Sequence, residues 1–400
     1  MNSLRIRFWV LITIVSISGF SQGMLLPLLA VLLESDGVSS TINGLHATGL
    51  YIGVLIASPF MEAPLRRFGY KPLIVVGGLM VLVSLFFFTL WDSLWFWFIL
   101  RLIIGVGDHA LHFSTQTWIT SFSPENVRGR NISFYGLFFG IGFAAGPLMT
   151  RLITINEALP FMIASIFSLL AWLTIFLLKN ELPEREENDN EAFTLRSTFS
   201  RFGNVFKYAW APLLPAFCYG ILEASLNSNF PVFGLRNGLD VEIIPIIVSA
   251  FSIGGILFQI PLGMLSDKLG RRNILLFVML TGSISFVGAG LFDNQPLMLI
   301  GFFFLSGMLL GSTFSLSIAY MTDNIPRKLL PAGNLMTGMC FSIGSVSGPF
   351  FGGLAIDYLP QISFFYLISG ALLLIFIALM LYKGNTLAAH TPQNKQIEQL

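Results

Sequence analysis

Twelve long apolar runs separated by short hinges constrain this chain more than any other feature. They cover roughly 8–33, 43–62, 72–91, 94–121, 131–150, 158–178, 208–233, 243–265, 274–292, 297–322, 333–356 and 362–382. Most approach the ~20 residues with which a helix crosses ~30 Å of hydrocarbon. A water-soluble domain could not hide so much apolar surface. Hydrophobic residues make up 54% of the 400 and charged residues only 11%, against roughly 25% charged in soluble domains. The reading is an all-α membrane protein with twelve transmembrane helices, embedded in a lipid bilayer.

Charge then orients it. The chain has 22 Lys and Arg. Arg151 and Arg236 fall in one set of alternate hinges, and Arg101 lies inside a run. All the other basic residues gather in the opposite hinges and at the two ends. Basic residues favour the cytoplasmic side, so both termini are expected there, in the cell membrane. The outward hinges carry acids: Glu34, Asp36, Asp92, Glu157, Asp240, Asp293 and Asp357. Arg5 and Arg7 before an apolar run imitate a secretory leader. That run is too long for one, and eleven more follow, so it reads as an uncleaved first span. Cysteines placed singly at Asn188 and Asn294 test the orientation. An impermeant thiol reagent added to intact cells should label position 294 and spare 188; the reverse pattern overturns it.

The net charge of +1 gives no reason to expect nucleic acid. Cys218 and Cys340 lie inside spans and read as packing residues rather than a disulfide. No His/Cys cluster has metal spacing, and no soluble nucleotide-binding unit is visible. Neither a cofactor nor catalysis is therefore expected, and any transport would run on a gradient.

The chain reads as a doubled six. Residues 1–178 form a first six-helix bundle, 179–207 a charged cytoplasmic linker, 208–382 a second bundle and 383–400 a cytoplasmic tail. The stretch 193–206 mixes Phe199, Phe202, Val205 and Phe206 with Arg196 and Arg201, which suits a short interfacial helix or a flexible linker equally. The halves repeat at an offset of about 202: Gly105 with Gly307, Pro124 with Pro326, and Gly136 with Gly338. Gly142, Gly146 and Pro147 match Gly344, Gly348 and Pro349. Duplication of this kind places a binding site between two bundles related by a pseudo-two-fold axis.

Several motifs carry a family resemblance. Gly263-Met-Leu-Ser-Asp267-Lys268-Leu-Gly270-Arg271-Arg272 resembles the G-x-x-x-D-[RK]-x-G-[RK]-[RK] loop of the major facilitator superfamily. Arg101-Leu-Ile-Ile-Gly105-Val-Gly107 resembles its span-4 element R-x-x-x-G-x-G. Gly142-x-x-x-Gly146-Pro147 resembles the G-x-x-x-G-P element of its exporters, and Pro124 to Arg130 its usual hinge between spans 4 and 5. In the first half, Arg66 stands where the loop motif has Asp, and Glu62 where it has Gly. Thr150 and Arg151 replace a Gly-Gly pair that the second half keeps as Gly352 and Gly353. The resemblance implies two six-helix bundles that rock about a central site. It also implies a gating latch at Gly263, Asp267, Arg271 and Arg272, where a charge pair biases the rocking.

Two helical stripes stand out as candidate chemistry. At ~100° per residue, Arg101, Gly105, Asp108, His112 and Thr115 share a band about 80° wide in span 4, with Gln116 beside it. Charges inside a membrane cost ~2.5–3.5 kcal/mol each, so they must face water, substrate or one another. Arg101 and Asp108 are expected to communicate directly or through water. His112 adds a group that changes charge near neutral pH; His109 lies off the stripe. In span 7, Tyr219, Glu223 and Asn227 recur at i, i+4 and i+8. Glu223, Asp108 and His112 are the expected proton-coupling groups. Gln22, Arg101, Gln116, Tyr219, Asn227 and Gln259 are the expected substrate contacts. The glycines and prolines of spans 5 and 11 suit close helix packing. His46 is expected at the membrane interface.

Three functions fit. The first is proton-coupled export of an amphipathic or drug-like small molecule by a monomer. The second is uptake of a sugar, nucleoside or small organic acid. The third is a non-transporting sensor or lipid-handling protein on the same scaffold.

Overall fold

The computed structural model describes residues 2–183, 195–326 and 329–382. The expected tail at 383–400 and part of the expected linker lie outside the described residues. Among the described residues the chain is helical, with no strand.

The first half runs α1 (Asn2–Ser35), α2 (Ser40–Ala57), short α3 (Glu62–Phe68), α4 (Tyr70–Phe87), α5 (Leu94–Phe122), α6 (Glu125–Ala145) and α7 (Leu159–Thr174). The second runs α8 (Leu195–Arg236), α9 (Ile244–Leu269), α10 (Arg271–Leu291), α11 (Pro296–Leu310), α12 (Thr313–Asn324), α13 (Leu330–Tyr358) and α14 (Phe364–Leu381). Eleven described segments are long and apolar enough to cross a membrane. The twelfth pass is α2, whose first half carries Ser40, Thr41, Asn43, His46 and Thr48. Its polar start is buried among protein rather than set against lipid, which is how such a helix can sit in a bilayer.

Breaks in the helices follow the sequence. Pro147 has no N–H to give to the ladder. At Gly146 the helix tightens to a 3₁₀ helix that continues to Thr154. Its repeat partner Pro349 sits inside unbroken α13, so the two halves part company here. The tenth pass is interrupted at Gly311 and Ser312, between α11 and α12. α8 joins two helices across a kink at Ala209; the segment from Leu195 onward is thus helical. Gly69 and Gly270 both take φ +88°, a left-handed turn that an L side chain resists. Each lets the chain reverse tightly into the next helix, at equivalent places in the repeat.

We call the face holding Arg7, Gly69 and Gly270 the near face, and the opposite one the far face. In the first half, Leu11, Val15, Trp118 and Ile175 pack toward the near face. Met24, Leu29, Leu50, Phe88 and Phe161 pack toward the far face. The second half is built around Phe230, Phe286, Phe303 and Phe365, with Phe230 and Phe303 centroids 4.6 Å apart.

The halves meet where α13 lies on α2 and α1 lies on α8. A Cβ on Gly44 would strike the Pro349 carbonyl, and one on Gly353 the Ser40 carbonyl. These two glycines bring the backbones of α2 and α13 into contact at the far end of the seam.

Candidate functional site

The seam holds a carboxylate among aromatic rings. Glu223 lies in α8, with the Tyr219 hydroxyl beside it one turn away. Phe341 of α13 stands 6.1 Å from the Tyr219 ring and 6.5 Å from the Tyr51 ring of α2. Phe314 of α12 closes on Phe341 at 5.3 Å. Tyr51 also lies near Ser345, Glu223 and Arg101. The group thus spans both halves. Asn227, expected to face substrate, turns its Nδ2 back to the Glu223 carbonyl at 2.8 Å. Its Oδ1 is buried with no partner.

Arg101 is wholly buried in α5. It reaches across to the Leu25 carbonyl of α1 with Nη2 at 3.4 Å, while Nε and Nη1 are unpartnered. The expected link between Arg101 and Asp108 is not formed. Seven residues of helix separate them by about 10 Å of rise, and each side chain binds α1 instead. Sharing a helical stripe put them on one side of α5 without bringing them together.

Asp108 belongs to a second cluster, inside the first half. Ser18 of α1 donates to Asp108 Oδ1 at 2.7 Å and stands 2.9 Å from His112 Nε2. The Gln22 amide lies 3.2 Å from the same nitrogen and close to Asp108. His112 Nδ1 meets the Tyr135 hydroxyl of α6 at 2.6 Å. Gln22, Asp108 and His112 are thus brought together as a group. Ser18 and Tyr135 were not foreseen, because a lone hydroxyl in a span usually just bonds its own helix.

Gln116 and Gln259 are exposed and join neither cluster. His109 stacks on Phe113 at 6.3 Å. His46, expected at the membrane interface, faces protein. It is buried, with Nε2 3.1 Å from the Leu94 carbonyl, so it ties α2 to α5.

At the near face, the loop motif works within the second half. Arg271 binds Asp323 at 2.9 Å and Asp267 at 3.4 Å. Arg272 donates to the Leu379 and Met380 carbonyls. The Asp267 side chain is 68% exposed, and a Cβ on Gly263 would meet open space. In this conformation the two arginines hold α10 to α12 and α14, not one half to the other. The packing glycines also act within halves: Gly142 and Gly146 lie against α1, Gly344 and Gly348 against α8.

The far face is where charges join the halves. Asp357 of α13 accepts the Ser40 and Thr41 backbone N–H groups of α2 at 3.1 and 2.8 Å. It also takes the Thr41 hydroxyl at 2.7 Å. The Asp357 carboxylate therefore sits on the positive end of α2. Arg236 of α8 binds Asp357 at 3.0 Å and Glu34 of α1 at 2.7 Å. Arg151 and Glu242 add an exposed pair at 3.5 Å.

The Major Facilitator Superfamily profile matches residues 11–246 and 216–399, which together take in nearly the whole chain. The chain belongs to the major facilitator superfamily. This superfamily member is 52% identical over 382 residues to YfkF, an uncharacterized MFS-type transporter of Bacillus subtilis, covering 96% of this chain and 97% of the relative. It is 25% identical to Multidrug resistance protein 1 of the same organism, over 92% of this chain and 94% of that one. Among solved structures it is similar to the nucleoside transporter NupG. The TM-score is 0.75 at 14% identity, over 94% of this chain and all of that one. That likeness is one of fold. The chain is accordingly a multi-span membrane transporter of the superfamily type. Two bundles meeting at a polar seam are the arrangement such transporters use.

Proposed function

We propose that this transporter exports amphipathic organic cations from the cytoplasm in exchange for protons, as a monomer in the cell membrane. One observation carries the reading. Glu223 lies at the seam between halves beside Tyr219 and Tyr51, whose rings pack on Phe341 and through it on Phe314. Aromatic faces and a carboxylate together suit a flat or greasy cation. A proton and such a cation would compete for the same carboxylate, which is the simplest form of exchange.

The likeness to multidrug resistance proteins along nearly the whole chain supports a drug-like substrate. With the termini in the cytoplasm, the Arg236–Asp357–Glu34 clamp closes the extracellular side, and the site loads from within. Ethidium and tetraphenylphosphonium test the substrate class. Either should raise the melting temperature of the purified protein in a concentration-dependent way, because a ligand of the folded state stabilises it. Uridine and glucose should not. Stabilisation by uridine alone would replace export of cations with handling of nucleosides.

A further inference from the structure

The geometry points to a proton relay through the first half, running from Tyr135 through His112 and Ser18 to Asp108. It rests on the proton use proposed above but concerns a second carboxylate, Asp108 rather than Glu223, and names two residues, Ser18 and Tyr135, that position its path. The contacts are continuous: 2.6 Å from the Tyr135 hydroxyl to His112 Nδ1, 2.9 Å from Nε2 to Ser18 Oγ, and 2.7 Å from Oγ to Asp108 Oδ1. All are hydrogen-bond distances. Burial changes along the path. Asp108 and Ser18 are 3% and 5% exposed, whereas His112 and Tyr135 are only partly buried. Tyr135 lies on α6, where its ring packs with the near-face core of the first half.

The same heavy-atom positions serve two proton arrangements. In one, Asp108 is ionised and accepts the Ser18 O–H. Ser18 Oγ accepts Nε2–H, and Nδ1 accepts the Tyr135 O–H. A proton arriving at the Tyr135 oxygen sends the phenolic hydrogen to Nδ1. Nε2–H then passes to Ser18 Oγ, and the Ser18 hydrogen passes to Asp108 Oδ1. Tyrosine, serine and imidazole end neutral, the imidazole as its other tautomer, and one proton has reached the carboxylate. An imidazole is the side chain that can accept at one nitrogen while donating at the other. The Gln22 amide touches both Asp108 and Nε2, and either of its ends suits one of the arrangements.

At the inner end, Asp108 lines a cavity of about 20 Å³ with Ser18, Ser168 and Trp172. Its Oδ2 has no protein partner. That space is large enough for about one water. The titratable groups around the path are few. His109 is close to His112, and Tyr135 faces it from α6. α1 presents Ser18 and Gln22. α4 and α7 present Ile74, Gly78, Val81, Ser168, Ala171 and Trp172. No second carboxylate faces the path among the described residues.

The test is a rapid pH drop on full-length protein in lipid vesicles, followed by time-resolved infrared spectroscopy of the carboxylic C=O band. Asp108→Asn identifies that band by its loss. Ser18→Ala and Tyr135→Phe should slow protonation of Asp108 at least tenfold while leaving its final amplitude. Ser18→Thr, which keeps the hydroxyl, should stay within about twofold of the wild-type rate. Tyr135→Phe keeps the ring and its packing, so it covers the case in which Ser18→Ala unfolds. Wild-type rates in both variants, or no protonation of Asp108 at all, would overturn the relay. The reading needs no dye transport. A protein that protonates through the path but moves no cation loses the export proposal and keeps the relay.

Discussion

Replacing Glu223 with Gln should reduce ethidium accumulation driven by a pH gradient to the level of protein-free vesicles. Ethidium should still bind. Gln keeps the volume of the side chain and can still accept a hydrogen bond from the Tyr219 hydroxyl beside it, so the packing of Tyr219 on Phe341 should stand. It cannot gain or lose a proton. Binding therefore weakens only by the lost charge, while coupling is lost altogether. Transport by the variant should also become flat with pH, whereas wild-type transport should change with it. The measurement is ethidium fluorescence in vesicles carrying the pure protein, with the inner and outer pH set separately. An unchanged pH dependence in Glu223→Gln would move the coupling to Asp108, and Asp108→Asn would then be decisive.

The second large effect is conformational. Asp357→Asn should open the far face. Asp357 accepts two backbone N–H groups, one hydroxyl and one guanidinium, all of them across elements. Its side chain is only 17% exposed, so these bonds are less screened than surface pairs, which are worth about 0–1 kcal/mol. Hydrogen bonds to charged groups contribute about 1.5–3 kcal/mol. Loss of about 2 kcal/mol shifts a two-state equilibrium roughly 30-fold. Spin labels at Asp36 and Asn237, one in each half, read that shift. Wild type should give one narrow short distance; Asp357→Asn should add a longer population. A single unchanged distance would mean that the Gly44 and Gly353 contacts alone close the far face.

Much of this architecture was legible in the apolar runs. Their spacing placed the passes, and the repeated Gly and Pro positions revealed the duplication. Glycine spacing along spans 5 and 11 marked the close contacts with α1 and α8. Some features were not legible, for physical reasons. The second pass is visible as the run 43–62, but the polar start of α2 from Ser40 is not, and burial against protein is what explains it. Helical periodicity says which residues share a face but not how far a side chain reaches. That is why Arg101 and Asp108 share a stripe in the sequence yet make no direct contact in the fold. Ser18, Tyr135, Tyr51 and Phe341 drew no attention, since hydroxyls and rings are common in spans. Their significance comes from which helices cross beside them. Glu34, Arg236 and Asp357 were visible as hinge residues, but the clamp exists only once α1, α8 and α13 are brought together.

Simultaneous recording of ethidium and proton movement in vesicles bearing the pure protein tests the central proposal most directly. A pH-sensitive dye trapped inside reports protons while ethidium fluorescence reports the cation. An imposed proton gradient should drive ethidium uphill. An ethidium gradient with no initial pH difference should drive protons in the opposite direction. Ethidium that moves only down its own gradient, at one rate whatever the pH difference, would contradict coupled exchange.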